Sequence, residues 1–200
     1  MKRARLGLVV SLTTLVSGCN LFAAAPKDGP GATSVRGEGA ARIAADDFDY
    51  DSYEQRALDL NRDGLPDAYQ YVQPVDGNPV VFRKEVDVNF DGRIDLIRTF
   101  GQDEELLVER LDHDFDGRID VVNYFEQGAI VRKEYDTNYD AAVDMWRYYD
   151  QGMVSRKEAD LNYDGRVDYW EYFEQGQLDR IGIDRDADGE VDDWETSSAG

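Results

Sequence analysis

The sequence predicts an all-β protein: an elongated, solenoid-like antiparallel β-meander built from repeats of about 24 residues, each a loop, a strand, a tight turn and a second strand. Three observations carry this expectation. First, a nine-residue pattern, D-x-[DN]-x-D-[GA]-x-x-D, starts at Asp59, Asp87, Asp112, Asp136, Asp160 and Asp184, in steps of 28, 25, 24, 24 and 24 residues. Six copies in near-constant register mark a repeat array. Second, each loop is followed by two β-favouring runs around a glycine turn, as in Val121–Glu126, Gln127-Gly128 and Ala129–Tyr135. That is a hairpin signal. Third, large side chains recur two residues apart: Tyr69, Ile97, Val122, Trp146, Trp170 and Trp194, then Tyr71, Thr99, Tyr124, Tyr148 and Tyr172. Residues two apart share one face of a strand. Two short strands cannot bury such a face alone, so neighbouring units must stack. A β-propeller needs about 40 residues or more per blade and does not fit.

The chain opens with Lys2, Arg3 and Arg5, then an apolar run from Leu6 to Val16. That length suits a secretory signal and is too short to span a bilayer as a helix. The run ends in Leu15-Val16-Ser17-Gly18-Cys19, and Cys19 is the one cysteine, so no intrachain disulfide is available. This ending resembles the lipobox of bacterial lipoproteins. The resemblance implies cleavage before Cys19, lipidation of that residue and stable anchoring through several acyl chains. It places the protein at the bacterial cell envelope, and Asn20 after the cysteine points to the outer membrane. Residues 1–18 are then a signal peptide. Residues 19–45, rich in Ala, Gly and Pro without apolar period, form a lipidated tether. Residues 46–200 form the repeat domain. Asp47, Asp49 and Asp51 look like the start of a seventh loop, but they lack its glycine and closing aspartate.

Within each loop, numbered by position, positions 1, 3, 5 and 9 carry oxygen side chains. The candidate ligands are Asp59, Asn61, Asp63 and Asp67 in loop 1; Asp87, Asn89, Asp91 and Asp95 in loop 2; Asp112, Asp114, Asp116 and Asp120 in loop 3. In loop 4 they are Asp136, Asn138, Asp140 and Asp144; in loop 5, Asp160, Asn162, Asp164 and Asp168; in loop 6, Asp184, Asp186, Asp188 and Asp192. Hard cations want six to eight oxygens on a tightly wound backbone, and glycine at position 6 permits the sharp turn. Up to six Ca2+ ions are expected. Magnesium demands a stricter octahedron and keeps its waters, so it fits less well. Loops 3 and 6, with four aspartates, should bind most strongly. Loop 4 has Ala141 in place of glycine and should be the weakest. Loop 1 has Pro66 at position 8, where the others carry Ile or Val.

The loops resemble calcium loops of EF-hands, dockerins, thrombospondin type 3 repeats and integrin propellers, and the hairpin halves are similar to MORN-type repeats. The EF-hand resemblance implies a bidentate glutamate at position 12, matched by Glu171 and Glu195 in loops 5 and 6. Aspartate at position 9 in all six loops, and strands where EF-hand helices would be, depart from that family.

The net charge is −21, which argues against nucleic acid as a partner, while periodic aromatics argue against a disordered acidic chain. No nucleophile–base pair, phosphate loop or zinc spacing is present. The single histidine, His113, falls at position 2, where side chains point outward. A non-enzymatic, structural or adhesive calcium-binding lipoprotein is therefore expected, with a protein or polysaccharide partner at the envelope. A calcium-responsive sensor is the alternative, and an envelope enzyme ranks third. The recurrent Arg83-Lys84-Glu85, Arg132-Lys133-Glu134 and Arg156-Lys157-Glu158 read as a solvated charge ladder. The aromatics, including Phe90, Phe115, Tyr139 and Tyr163 at position 4, read as packing between repeats.

Overall fold

The computed structural model describes Ile43 and residues 46–196. The expected signal peptide, Cys19 and nearly all of the expected tether lie outside the described residues. A short 3-10 turn, Tyr50–Ser52, precedes twelve strands: β1 Glu54–Leu58, β2 Ala68–Val75, β3 Asn78–Val86, β4 Leu96–Phe100, β5 Leu106–Leu111, β6 Val121–Glu126, β7 Ala129–Tyr135, β8 Met145–Asp150, β9 Met153–Ala159, β10 Tyr169–Glu174, β11 Gln177–Ile183 and β12 Asp193–Thr196. They form one open antiparallel sheet in sequence order. In such a meander alternate connections fall at the same end of the strands. The six aspartate loops therefore share one end, and the tight turns share the other.

The turns use the residues expected of them. In Gln127-Gly128, Gln151-Gly152 and Gln175-Gly176 both central residues have positive φ, near 50° and 80°, the type I′ geometry that matches strand twist. A bulge follows in each hairpin, as between Tyr124 and Phe125. The 28-residue first step does not come from a longer turn. Asp76-Gly77 is the same two-residue turn, and the insertion lengthens the strands instead, to 8 and 9 residues in β2 and β3 against 6 and 7 in β6 and β7.

The middle of the predicted ladder is the core, while Trp194 at its end is 42% exposed. Val122, Trp146 and Trp170 are buried with Val143 and Val167, the position-8 residues of loops 4 and 5. Tyr124, Tyr148 and Tyr172 pack beside them. Ile43, assigned to the tether by composition, also lies in this core, and its N–H donates to the Ala141 carbonyl at 3.1 Å. The acidic-aromatic stretch after it is no seventh loop. It packs over the first repeat: the Asp46 carboxylate meets Arg83 at 2.6 Å, Phe48 and Tyr50 lie under the same guanidinium, and the Tyr50 hydroxyl donates to Glu85 at 2.9 Å.

The Arg-Lys-Glu runs are not a solvated ladder. Strand alternation puts their Arg and Glu on the Tyr/Trp face and only Lys on the other. Arg132, Arg156 and Arg180 lie over Tyr124, Tyr148 and Tyr172 at 4.1, 4.1 and 4.8 Å. The Tyr124 and Tyr148 hydroxyls donate to Glu134 and Glu158 at 2.9 and 3.1 Å. Glu85 and Glu158 are buried, and Arg83 is 1% exposed. A buried charge persists only when paired and hydrogen-bonded; here Arg83–Glu85 and Arg156–Glu158 pair along one strand, and the tyrosine hydroxyls add the cross-strand bond.

Candidate metal centres

Each loop is wound by its own side chains. The position-1 carboxylate accepts from the position-6 N–H in every loop: Gly64, Gly92, Gly117, Ala141, Gly165 and Gly189 donate to Asp59, Asp87, Asp112, Asp136, Asp160 and Asp184 at 2.6–2.9 Å. The position-9 carboxylate accepts from the N–H groups of positions 2 and 3. In loop 3 His113 and Asp114 donate to Asp120 at 2.6 and 3.3 Å, and in loop 6 Arg185 and Asp186 donate to Asp192 at 2.8 and 3.3 Å. The oxygens of positions 3 and 5 accept from the N–H two residues on, as Asn89 does from Asp91 and Asp91 from Arg93, both at 2.9 Å. These are the local side-chain to backbone bonds that Asp and Asn favour in turns.

The loops are also tied to one another through the backbone. The Asp87, Asp112, Asp136, Asp160 and Asp184 N–H groups donate to the carbonyls of Asp67, Asp95, Asp120, Asp144 and Asp168 at 2.7–2.9 Å. A ladder of first and closing aspartates thus runs along the loop end. From Asp67 to Asp184 its members are buried, while positions 3 and 5 are exposed or nearly so.

Two carboxylate triplets, Asp112–Asp114–Asp116 and Asp184–Asp186–Asp188, hold one oxygen each within 4.8 Å of the others. Each triplet could hold a metal ion. They belong to the two loops with four aspartates. In loops 1, 2 and 4 the third member is an asparagine whose amide donates to the position-5 carboxylate, at 3.0, 3.2 and 3.1 Å. In loop 5 the Asn162 amide turns to Asp168 at 2.9 Å. The donor set suits a hard cation: all oxygen, mostly charged, on a preformed turn. One orphan atom adds to the fit. Asp95 in loop 2 is 2% exposed, its Oδ2 accepts from Val88 and Asn89, and its buried Oδ1 has no donor.

Charge crowding leaves a mark on the acids. Burial, with the neighbouring Asp114 and Asp112 charges, raises the Asp120 pKa against the pull of its two backbone donors. In loop 6 the Asp188 and Asp192 charges raise that of Asp186.

The position-12 glutamates lie on strands. Glu171 lies on β10 and pairs with Lys157 at 2.7 Å, accepting also from Tyr169 at 3.2 Å. Glu195 lies on β12 opposite Ile181. Strand flanks carry both along the sheet, where an EF-hand helix would fold the residue back. The position-4 aromatics are not packing residues either. Phe90, Phe115, Tyr139 and Tyr163 are 45–51% exposed and take φ of 62–65°, which turns their side chains away from the sheet. His113 is exposed. Among the described residues no helix is long and apolar enough to cross a membrane.

One set of residues escaped the sequence reading: the position-7 arginines. Arg93 donates to the Asp116 carbonyl of the next loop at 2.7 Å, and Arg166 to the Ala187 carbonyl at 2.8 Å. Their recurrence at position 7 in loops 2, 3 and 5 was the available signal.

No family model matches the chain, and no curated protein matches it. Among solved structures, a chain described as accessory secretory protein 1, 2 and 3 in Streptococcus pneumoniae is 16% identical with a TM-score of 0.40, over 66% of this chain and 23% of that one. A chain of a GtfA/B complex is 19% identical with a TM-score of 0.37, over 51% of this chain and 19% of that one. The protein spans less than a quarter of either chain, and likeness at this level carries no chemistry across.

Proposed function

We propose that this is a calcium-binding lipoprotein of the bacterial envelope, anchored through Cys19 at the outer membrane, whose repeat array has a structural or adhesive role. The observation that carries the reading is the single row of six oxygen-lined loops at one end of the sheet. Two strands per repeat at ~4.8 Å each set successive loops ~10 Å apart. At that spacing unneutralised carboxylate clusters repel, and divalent ions would relieve the repulsion while adding binding free energy to the fold. Calcium fits better than magnesium because the loops offer flexible all-oxygen coordination. The exposed Phe90, Phe115, Tyr139 and Tyr163 run along the same end and supply a surface for a protein or polysaccharide partner. The reading is non-catalytic, since the paired carboxylates are accounted for as ligands and as acceptors for their own loops. It gives no role to nucleic acid.

The test is a calcium titration of the full chain in detergent, starting from chelated protein, with calorimetry for stoichiometry and circular dichroism for β-structure. Four to six ions bound with a gain in β-structure supports a calcium scaffold. One or two ions on an already folded chain favours a sensor instead. Absence of binding at millimolar calcium overturns the proposal.

A further inference from the structure

We propose that the loops act as coupled pairs, loop 2 with loop 3 and loop 5 with loop 6, and that Arg93 and Arg166 are the residues that couple them. The inference rests on the cation reading above and goes beyond it, to how one site governs the next. Arg93 and Arg166 each stand at position 7 of the first loop of a pair and donate across to a backbone carbonyl of the second, at 2.7 and 2.8 Å. The receiving loops, 3 and 6, are the two with carboxylate triplets. Arg118 occupies the same place in loop 3, but its contact to the Tyr139 carbonyl of loop 4 is 3.5 Å, at the limit of a hydrogen bond. Position 6 bears on the difference at the Arg93 contact: a methyl on Gly117 would lie 3.0 Å from the Arg93 Cδ, tighter than ordinary packing, whereas one on Gly189 would lie 3.9 Å from the Arg166 Cδ, an ordinary contact. Loop 4 has that methyl, on Ala141. Loops 1 and 4 carry Leu65 and Ala142 at position 7, so neither extends a guanidinium to loops 2 or 5.

The route of coupling is short. The Arg93 N–H donates to the Asp91 carboxylate at 2.9 Å, and the Arg166 N–H to Asp164 at 2.9 Å. A cation that fixes the Asp91 carboxylate therefore fixes the backbone of Arg93. The guanidinium then holds the carbonyl of Asp116, whose own carboxylate belongs to the loop 3 triplet. The unpartnered, buried Asp95 Oδ1 marks loop 2 as the place where a cation is wanted. Coupling must be reciprocal, and typical values are about 5- to 150-fold. Direct repulsion between two divalent ions ~10 Å apart works against it by about threefold in screened water, so the arginine contact has to exceed that. Charge compensation is the rival explanation: the guanidinium would simply offset the extra aspartate of loop 3. The two differ in sign, because removing a compensating cation strengthens metal binding in loop 3, whereas removing a coupling residue weakens it.

The terbium luminescence that the full chain gains on Phe115→Trp, measured against the parent whose Tyr139, Tyr163 and native tryptophans light the other loops, reports loop 3 through the exposed position-4 side chain. Asp91→Asn, which keeps an acceptor for Arg93, should weaken terbium binding at loop 3 at least fivefold. In the Arg93→Ala background loop 3 should be weakened to a similar degree, and Asp91→Asn should then change it less than twofold. Arg93→Lys should restore part of the dependence. Tighter terbium binding in Arg93→Ala, or an Asp91→Asn effect that persists there, overturns the coupling while leaving the cation sites standing. Failure of the parent chain to bind terbium overturns the cation reading itself. Arg93 is exposed, so its loss should spare the fold. Should Arg93→Ala misfold, Arg166→Ala with Asp164→Asn and an Ala187→Trp reporter in loop 6 makes the same test.

Discussion

Loops 3 and 4 are neighbours on one edge of the sheet, and their sequences differ where a cation loop is most demanding. Loop 3 has Asp114 at position 3, Gly117 at position 6 and Arg118 at position 7; loop 4 has Asn138, Ala141 and Ala142. Yet their hydrogen bonds are nearly superimposable. Asp112 accepts from Phe115 and Gly117 at 2.7 and 2.7 Å, and Asp136 accepts from Tyr139 and Ala141 at 2.7 and 2.7 Å. Asp120 accepts from positions 2 and 3 at 2.6 and 3.3 Å, and Asp144 at 2.7 and 3.2 Å. The first and closing aspartates therefore set the shape of the loop. Positions 3, 6 and 7 are where the two loops differ, and on the proposed reading they set what the shape can hold and how it is coupled to its neighbours.

The comparison breaks first at the closing aspartate. Asp120→Ala and Asp144→Ala each strip the acceptor from two backbone N–H groups beside the buried ladder. A hydrogen bond to a charged acceptor is worth about 1.5–3 kcal/mol, and two partly buried ones are lost in each loop. Each substitution should cost about 2–4 kcal/mol in urea unfolding of ion-free protein, and the two losses should agree within about 1 kcal/mol. A large loss in loop 3 with little in loop 4 would show that the loops do not share one winding mechanism. Position 3 is the next largest contrast. Asp114→Asn converts the loop 3 ligand set to that of loop 4 and should lower calcium affinity about tenfold. Asn138→Asp should raise loop 4 by a similar factor, read by calorimetry. Equal loop affinities in the parent and both variants would mean that carboxylate count does not rank these sites. Position 6 gives a smaller effect. Ala141 holds φ = 70°, which costs an L-residue about 1–2 kcal/mol, but glycine loses about 0.5–1 kcal/mol more entropy on folding. Ala141→Gly should therefore stabilise the ion-free protein by only about 0.5 kcal/mol by thermal unfolding. A loss of stability would mean that the methyl packs usefully in the loop.

Much of this was legible in the sequence because the repeat supplies its own alignment. Six registers of one pattern place the strands, the tight glycine turns and the acidic loops, and the period-2 recurrence of Trp146, Tyr148, Trp170 and Tyr172 identifies the core face. What escaped depends on where a side chain goes after the backbone is known. Alternation puts Arg156 and Glu158 on the tyrosine face and Lys157 on the other, which the charge pattern alone disguises as one solvated run. The left-handed backbone at position 4 turns Phe115 and Tyr139 out to solvent, and a left-handed non-glycine residue has no strong sequence mark. Glu171 matches an EF-hand position only if a helix follows; on a strand it lands beside Lys157. The packing of Asp46–Tyr50 over Arg83 is a contact 37 residues away in sequence at its Asp46–Arg83 pair, with no periodicity to announce it.

The smallest predicted effect is the response to pH, and it tests the charge side of the same contrast. In loop 3 burial and the Asp114 and Asp112 charges raise the Asp120 pKa. The folded state therefore binds this proton at a pH where the unfolded chain, with its ordinary carboxylate pKa near 3.9, has released it. Where the folded state binds more protons, stability falls as pH rises. Ion-free protein should lose stability from Asp120 as pH climbs from about 4 through the raised value, and regain it on acidification. Calcium reverses the sign, because the ion competes with the proton for the same oxygens. Thermal unfolding from pH 4 to 7, chelated and calcium-loaded, should give opposite slopes once the Asp120→Asn protein is subtracted as reference. Asp114→Asn, which gives loop 3 the asparagine of loop 4, removes one of the charges acting on Asp120 and should flatten the chelated slope. A chelated slope that rises with pH, or one that Asp114→Asn leaves unchanged, would remove carboxylate crowding as a ground for expecting loop 3 to favour a cation over loop 4.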